Sequence, residues 1–338
     1  MSAGLIKSRC INALRCYGNY ALSLFGLVRI THMPTFVSVE PSSLCQLHCP
    51  ECPVGISNSI PSGEVLGAGA SPFMSLDVWY HVLDQIKPYA HTVQFYFQGE
   101  PLLNKNLPQM IRSAREAGLY TIVSTNAQAL TPQWAEDLVR SGLNRIIVSM
   151  DGLTQESYGA YRIGGSVEKV KKALRWLRQA KSISTPSAKR SVFCQRSSLT
   201  IELQVLRLRT NEHEWQEFRK QYKAIGADRL MFKTAQLYNY RDGHPLMPSD
   251  SRYSRYIQGQ DGLFYRKSLH HGCLRVWSGV VISATGEVLP CCYDKNHAYT
   301  YGNIMDTPLQ KLFANEKSIA FRRAAIQEQP QICQECWR

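Results

Sequence analysis

From about residue 35 to 235, short β-branched or aromatic runs alternate with longer stretches of helical periodicity, and no other feature of the sequence constrains the fold so strongly. Runs with period-2 or continuous apolar character predict strands at 35–40, 92–97, 120–124, 145–150, 199–206 and 229–234. Helical patterns fill the intervals at 75–89, 107–117, 132–141, 166–180 and 212–225. Ser75, Thr131 and Ser166 stand where helices should start, and Gly118, Gly142 and Gly226 where they should stop. Six such alternations imply an α/β fold with a parallel sheet and right-handed crossovers. Six units suit an open, partial (β/α)6 TIM-like barrel better than a closed eightfold one, with functional residues just after the strands.

Outside this pattern the chain divides into a helical extension (1–34), a linker (236–269) and a small cysteine-rich C-terminal domain (270–338) around the barrel segment 35–235. In the last of these, "CLRVWSGVVISATGEVLPCC" reads as a hairpin with cysteines at both ends, and the tail carries "CQEC". Residues 53–74, rich in Gly, Ser and Pro, form a long loop that is either a lid or a plain surface insertion. Residues 182–198 read as a basic, Ser-rich loop. Leu5, Ile6, Ile11, Leu14 and Leu22, set among basic residues, predict an amphipathic N-terminal helix. Packing on its own domain is the expectation, and a membrane surface is the alternative.

An apolar fraction of 44%, with 17 Tyr and 11 Phe, excludes wholesale disorder. The longest apolar candidate, 16–28, is broken by Gly18, Asn19 and Ser23, so no membrane span is expected. The basic front lacks a small-residue cleavage site, and the compartment is read as the cytoplasm. Eleven cysteines, an odd number, make a poor disulfide framework there and point to metal. The net charge of +13 is scattered along the chain and reads as an ordinary basic surface rather than a nucleic-acid interface.

"CQLHCPEC" (45–52) places Cys45, Cys49 and Cys52 directly after the first strand. A structural zinc would want a fourth Cys or His, and His48 is sandwiched between Cys45 and Cys49. A cubane [4Fe–4S] cluster takes four thiolates, so three leave one iron open to a substrate or cofactor. This CxxxCxxC, followed by "GEP" (99–101) after the second strand, resembles the radical S-adenosylmethionine (SAM) superfamily. The resemblance covers about residues 35–235. It implies that SAM chelates the open iron and is cleaved on reduction to a 5′-deoxyadenosyl radical that abstracts a substrate hydrogen. By the same resemblance Cys45, Cys49 and Cys52 are the cluster ligands. Gly99 and Glu100 hold the SAM amino group, Ser124 and Asn126 meet its ribose and carboxylate, Ser149 and Asp151 approach it, and Arg162 pairs with its carboxylate. The bland alternatives are a turn residue for Glu100, a helix cap for 124–126 and a surface cation for Arg162. Two positions depart from the family pattern: Gln98 replaces the first Gly of GGEP, and Glu51 stands where an aromatic or apolar residue is usual.

Cys273, Gly286 and Cys291 form C-x12-G-x4-C, and Cys333 with Cys336 adds CxxC. On spacing alone four such thiolates also suit structural zinc. The set resembles the C-terminal extension of the SPASM/twitch branch of the same family, in the shortened, single-cluster form, and implies an auxiliary [4Fe–4S] cluster. Four ligands would close that cluster, whereas three would let substrate coordinate it. Cys292 is an alternative to Cys291, although the spacing from Gly286 favours Cys291. Asp294 is a candidate general base for a dehydrogenation, with a solvated turn residue as the alternative. Cys10, Cys16 and Cys194 read as buried small hydrophobes.

The expectation is a cytoplasmic radical SAM oxidoreductase or maturase, served by an electron donor of flavodoxin or ferredoxin type. Its substrate is a peptide or protein side chain or a carbohydrate-like small molecule. Only 44 residues precede Cys45, few for a separate peptide-recognition domain. The rivals are a radical SAM enzyme acting on RNA and a non-catalytic zinc protein that binds nucleic acid.

Overall fold

The computed structural model, which describes residues 3–59, 71–183, 199–267, 272–334 and 336, turns the alternation into strands and helices close to the expected places. The elements run α1 (Ala3–Ser23), β1 (Phe36–Val39), α2 (Pro53–Asn58), α3 (Leu76–Ile86), β2 (Thr92–Phe95), α4 (Leu107–Glu116), β3 (Tyr120–Thr125), α5 (Pro132–Arg140) and β4 (Arg145–Ser149). They continue with α6 (Gln155–Gly159), α7 (Val167–Ile183), β5 (Thr200–Arg207), α8 (Trp215–Ile225), β6 (Arg229–Thr234), β7 (Tyr256–Gln258) and β8 (Phe264–Arg266). The C-terminal segment holds α9 (Leu274–Ser278), β9 (Gly279–Ile282), β10 (Glu287–Leu289), β11 (Gly302–Asn303), α10 (Leu309–Phe313), α11 (Glu316–Gln327) and α12 (Gln331–Gln334). Ser75 and Thr131 cap α3 and α5 by accepting from Val78 N (3.2 Å) and Trp134 N (3.2 Å). Gly118, Gly142 and Gly226 all have positive φ, the conformation that ends a helix cheaply.

The chain folds as two compact units, each assembled from segments far apart in sequence. In the first, made of residues 1–44, 66–122 and 269–338, β1 is the central strand. It runs parallel to β2 on one side, with Phe36 opposite Thr92, and parallel to β9 on the other, with Phe36 opposite Gly279. β10 and β11 follow antiparallel, so the C-terminal hairpin extends the sheet that contains β1 and β2. Trp79 of α3 packs edge-to-face on Phe95 at 5.1 Å beneath this sheet. The second unit, residues 45–65 and 123–268, is built on the parallel set β4–β5–β6. Ile146, Ile147 and Val148 form a continuous buried apolar run in β4, whereas in β5 the buried Ile201, Leu203 and Val205 alternate with Glu202 and Gln204. β3 begins in the first unit and ends in the second.

Several local differences from the sequence reading have physical causes. The helix expected from residue 212 begins as a 3-10 turn at Arg209–Glu214. There the buried Asn211 side chain donates to Asp151 O (2.9 Å) and Leu206 O (2.8 Å), while Glu214 reaches Ser157 Oγ (2.7 Å). Cys273 precedes one turn of helix rather than opening a strand. The linker contains the β7–β8 hairpin, whose "QGQDGL" turn carries the Asp-Gly signal that would have revealed it. Within the long loop, Pro53–Asn58 are helical, and the rest of the lid reading, 60–70, lies outside the described residues. So do residues 184–198 of the basic connection, including Cys194. Cys16 is buried as expected, but Cys10 is exposed, because it sits on the outward side of α1.

α1 packs on the first unit, but through polar side chains. Arg9 is buried and donates to Lys87 O (2.7 Å), Ala117 O (2.8 Å) and Gly118 O (2.8 Å), closing the C-terminal carbonyls after α3 and α4. Asn12 exchanges a pair of hydrogen bonds with the Met33 backbone (2.8 and 2.9 Å). Asn19 donates to Thr31 Oγ1 and to His32 Nδ1, and the His32 Nε2–H in turn donates to Trp277 O (2.9 Å). Burial pushes His32 down to about 4, so it stands as a neutral structural bridge. Among the described residues no helix is long and apolar enough to cross a membrane.

Candidate metal centres

The loop after β1 carries the three cysteines in the second unit. Cys49 and Leu47 are buried in an apolar cluster with Tyr161, Leu208, Leu237 and Tyr256, and Cys45 and Cys52 pack against it. Cys52 N donates to Cys49 O (3.2 Å), and α2 begins at once with Pro53, whose fixed φ suits a first helical position. Gly55 is a residue that the motif did not single out. A Cβ at this position would lie 2.4 Å from Cys49 O, so only glycine lets α2 lie flat on the cysteine loop. Asn58 donates to Cys45 O (2.7 Å) and Leu47 O (3.1 Å), fixing the loop from its other end.

Asn126 after β3 and Arg162 after α6 supply donors to the sulfurs. Asn126, just past β3, directs Nδ2 at Cys45 Sγ (3.4 Å) and receives Gln46 Nε2 on Oδ1 (3.2 Å). Arg162 reaches Cys49 Sγ with Nη1 (3.8 Å) and donates Nε–H to Asp151 Oδ2 (2.6 Å). Asp151, fully buried after β4, accepts Leu206 N on its other oxygen (2.6 Å). Burial opposes the Arg162 charge, yet Asp151 and Cys49 beside it hold its pKa well above the ordinary value. Arg162 is therefore no surface cation: its pair with Asp151 is buried. Burial pushes the Cys49 thiol up, against the pull of Arg162. Ser149 is buried at the end of β4, and Ser124 is half-buried within β3.

Glu51 has a partner set of its own. Its carboxylate accepts Tyr238 N and meets His244 Nε2 at 3.1 Å, both in the segment that follows β6. The acidic residue thereby clamps the cysteine loop to that segment. The apolar periodicity of the sequence carries no signal for this link.

Gly99 and Glu100 belong to the first unit. Glu100 N donates to Leu44 O (2.7 Å), and its Oε1 accepts Leu102 N (3.1 Å), capping the short turn Pro101–Leu103. Part of the bland turn reading of Glu100 is thus present in the structure. A Cβ on Gly99 would fall 2.1 Å from Ser42 O and 2.7 Å from Leu44 O. Gly99→Ala should therefore lower stability by about 1–3 kcal/mol, the usual cost of forced overpacking, read as a shift in the urea midpoint at unchanged slope. Gln98 donates its Nε2 to Lys295 O (2.8 Å) and its backbone N–H to Glu40 Oε1 (3.4 Å). The side chain that replaces the expected glycine is thus spent on bridging β2 to the C-terminal segment.

The second cysteine set lies in the first unit, with Cys273 ahead of α9, Cys291 after β10, Cys333 on α12 and Cys336 beyond it. Burial raises the Cys291 thiol, and Cys292, Cys333 and Cys336 raise it further. Cys333 is pushed up to about 12 by burial and by Cys273 and Cys336. These mutual effects require the thiols to lie near one another. Two buried donors have no hydrogen-bond partner among the described residues, and the first of them lies close to these thiols. Tyr301 Oη lies within electrostatic reach of Cys291 and Cys333, and Arg322 Nη2 belongs to a fully buried guanidinium 5.6 Å from the Tyr301 ring. Asp294 is no solvated turn residue. It is buried, accepts Ala298 N (2.8 Å) and Tyr299 N (3.0 Å) on its two oxygens, and is raised by that burial.

Among the described residues no three His, Cys, Asp or Glu side chains converge on the position of a single metal ion. The donor chemistry suits a larger sulfur-loving centre, since both sets are thiols throughout and have N–H or O–H donors behind them.

Comparison with known proteins agrees with this chemistry. A Radical SAM superfamily model matches residues 39–186, and an iron-sulfur cluster-binding (SPASM) domain model matches residues 273–337. PqqA peptide cyclase of Streptomyces rochei is 24% identical over 327 residues, covering 90% of this chain and 81% of that protein. The AdoMet-dependent heme synthase of Methanosarcina barkeri is 27% identical over 170 residues, 49% of this chain and only 46% of that protein's length. The fold matches the solved structure of native anSMEcpe with bound AdoMet at a TM-score of 0.62 and 18% identity, covering 90% of this chain and 87% of that one. These matches displace the reading of both cysteine sets as structural zinc sites in a non-catalytic protein. The chain belongs to the radical SAM superfamily, as an enzyme of the SPASM type whose cofactors are SAM, a [4Fe–4S] cluster and auxiliary iron–sulfur.

Proposed function

We propose that this enzyme abstracts hydrogen from a side chain of a peptide or protein. The observation that carries the reading is the similarity to PqqA peptide cyclases, which extends over 90% of this chain. The likeness to BtrN, at a TM-score of 0.51 and 17% identity, concerns the fold alone.

In this reading Cys45, Cys49 and Cys52 hold the SAM-binding cluster. Bound there, cluster and SAM together supply a 5′-deoxyadenosyl radical on one-electron reduction. The N–H donors of Asn126 and Arg162 aimed at Cys45 and Cys49 support the assignment, because donors at sulfur stabilise a thiolate ligand. Asp151 fixes the Arg162 guanidinium against Cys49, so we assign Arg162 to charge balance at the thiolates in addition to the SAM carboxylate. Gly99, Glu100, Ser124 and Ser149 are assigned to SAM contacts by family position. Cys273, Cys291, Cys333 and Cys336 are assigned to one auxiliary [4Fe–4S] cluster. The buried Tyr301 hydroxyl, without a hydrogen-bond partner among the described residues and close to Cys291 and Cys333, fits that anionic group. Asp294, with both oxygens engaged by backbone N–H groups, is left out of proton transfer and braces the loop after Cys291. A flavodoxin- or ferredoxin-type donor in the cytoplasm would deliver the electron.

The test uses the anaerobically reconstituted holoenzyme with SAM, dithionite and extract of the source organism grown in heavy water. Deuterium should pass into 5′-deoxyadenosine with the polypeptide fraction and vanish when that fraction is digested by protease beforehand. Transfer that survives digestion and follows the small-molecule fraction would sink the peptide reading.

A further inference from the structure

The N-terminal helix is amphipathic in the opposite sense to a domain-packing helix. Its inward side is polar: Arg9, Asn12, Asn19 and Ser23 are buried, joined by the small Cys16. Its outward side is apolar, with Ile6, Leu14 and Tyr17 exposed, and the turn that follows adds Leu24, Phe25 and Leu27. Leu14 is 72% exposed and Phe25 84%. Single exposed apolar residues are ordinary, but a contiguous set on one helix face marks an interaction surface.

The charge around this face says what covers it. The first acidic residue of the chain is Glu40, so residues 1–39 carry positive side chains only. Arg9 is consumed by the carbonyls that dock the helix, and Lys7, Arg15 and Arg29 are exposed beside the apolar residues. An apolar stripe flanked by exposed cations, without a carboxylate, is the composition of a helix that lies in the plane of an anionic lipid surface. A protein partner matched to this face would need carboxylates to meet Lys7, Arg15 and Arg29, and it is an outcome of the test below. The 21 residues of α1 span about 30 Å along such a surface, and the polar clamps at Arg9, Asn12 and Asn19 carry the body of the enzyme with it.

We infer that α1 and the turn after it form a peripheral docking site for an anionic membrane surface. The apolar side chains enter the acyl boundary, while Lys7, Arg15 and Arg29 meet the lipid headgroups. This goes beyond the catalytic reading and does not depend on it, since neither cysteine set takes part.

Co-sedimentation of the full-length reconstituted protein with phosphatidylcholine vesicles, with and without phosphatidylglycerol, tests the inference. Binding should require phosphatidylglycerol and weaken with added sodium chloride. The double variant Leu14→Ser/Phe25→Ser, with charge unchanged, should bind about tenfold less at the same lipid concentration. Its thermal melt should match the parent because both side chains are exposed. Equal binding by parent and variant would assign the interaction to the scattered surface charge and overturn the inference. So would absence of binding to anionic vesicles, a lowered melt in the variant, or a parent dimer in gel filtration that the variant converts to a monomer.

Discussion

Cys49→Ala should abolish reductive SAM cleavage, with 5′-deoxyadenosine falling to the background of the protein-free reaction. Cys49 is the most enclosed of the three thiols in its loop, and its Sγ faces the Arg162 guanidinium, so its loss would remove the thiolate that the site is built to hold there. Iron should drop from about eight to about four atoms per chain, because one cubane is lost and the other stays. Cys333→Ala serves as the counterpart: it should keep SAM cleavage and lose product formation. Chromatographic quantification of 5′-deoxyadenosine in both variants decides the assignment. Continued cleavage by Cys49→Ala would mean that the first cysteine set does not hold the SAM cluster.

Asp151→Ala should destabilise the metal-free protein by about 3–5 kcal/mol, the usual effect of removing one member of a buried ion pair. Two groups lose their partner at once, Arg162 Nε and Leu206 N, and the charge balance beside Cys49 is lost with them. Most of the loss is the cost of the stranded guanidinium, so Asp151→Ala/Arg162→Met should recover a large part of it. Urea unfolding of the single and double variants provides the measurement. A double variant no more stable than the single would show that the pair is not coupled as its geometry requires.

Strands β1 to β6 were legible because they leave short apolar or alternating runs, as in Ile146–Ile147–Val148 or in Ile201, Leu203 and Val205, and because caps such as Ser75 and Thr131 are local signals. The cysteine sets stand out in the sequence because their spacing is itself a local property. Illegible were the links made by single side chains over long distances. Glu51 looked like a misfit in its motif, yet it bonds Tyr238 and His244, nearly two hundred positions further on. Gln98 likewise has its reason in Lys295. Arg162 read equally well as a surface cation, because only the fold brings Asp151 against it. The α1 helix packs on its own unit as expected, but periodicity does not say that polar clamps such as Arg9 and Asn12 make the contact.

The position of β1 has a consequence for how the chain is made. β1 acquires β2 soon after synthesis, but its other edge is completed only by β9, and the Thr35 hydroxyl bonds Ser278 O across 243 positions. At about 5–20 residues per second the ribosome needs tens of seconds to supply that partner. Throughout that interval a strand whose Val37 and Val39 end up fully buried presents a free edge. The contiguous segment 123–268 meanwhile contains all of β4, β5 and β6 and has no such wait. The nascent chain is thus most prone to aggregation in its N-terminal third, and overexpression should benefit more from chaperones that cover the nascent chain than from lower temperature after translation ends.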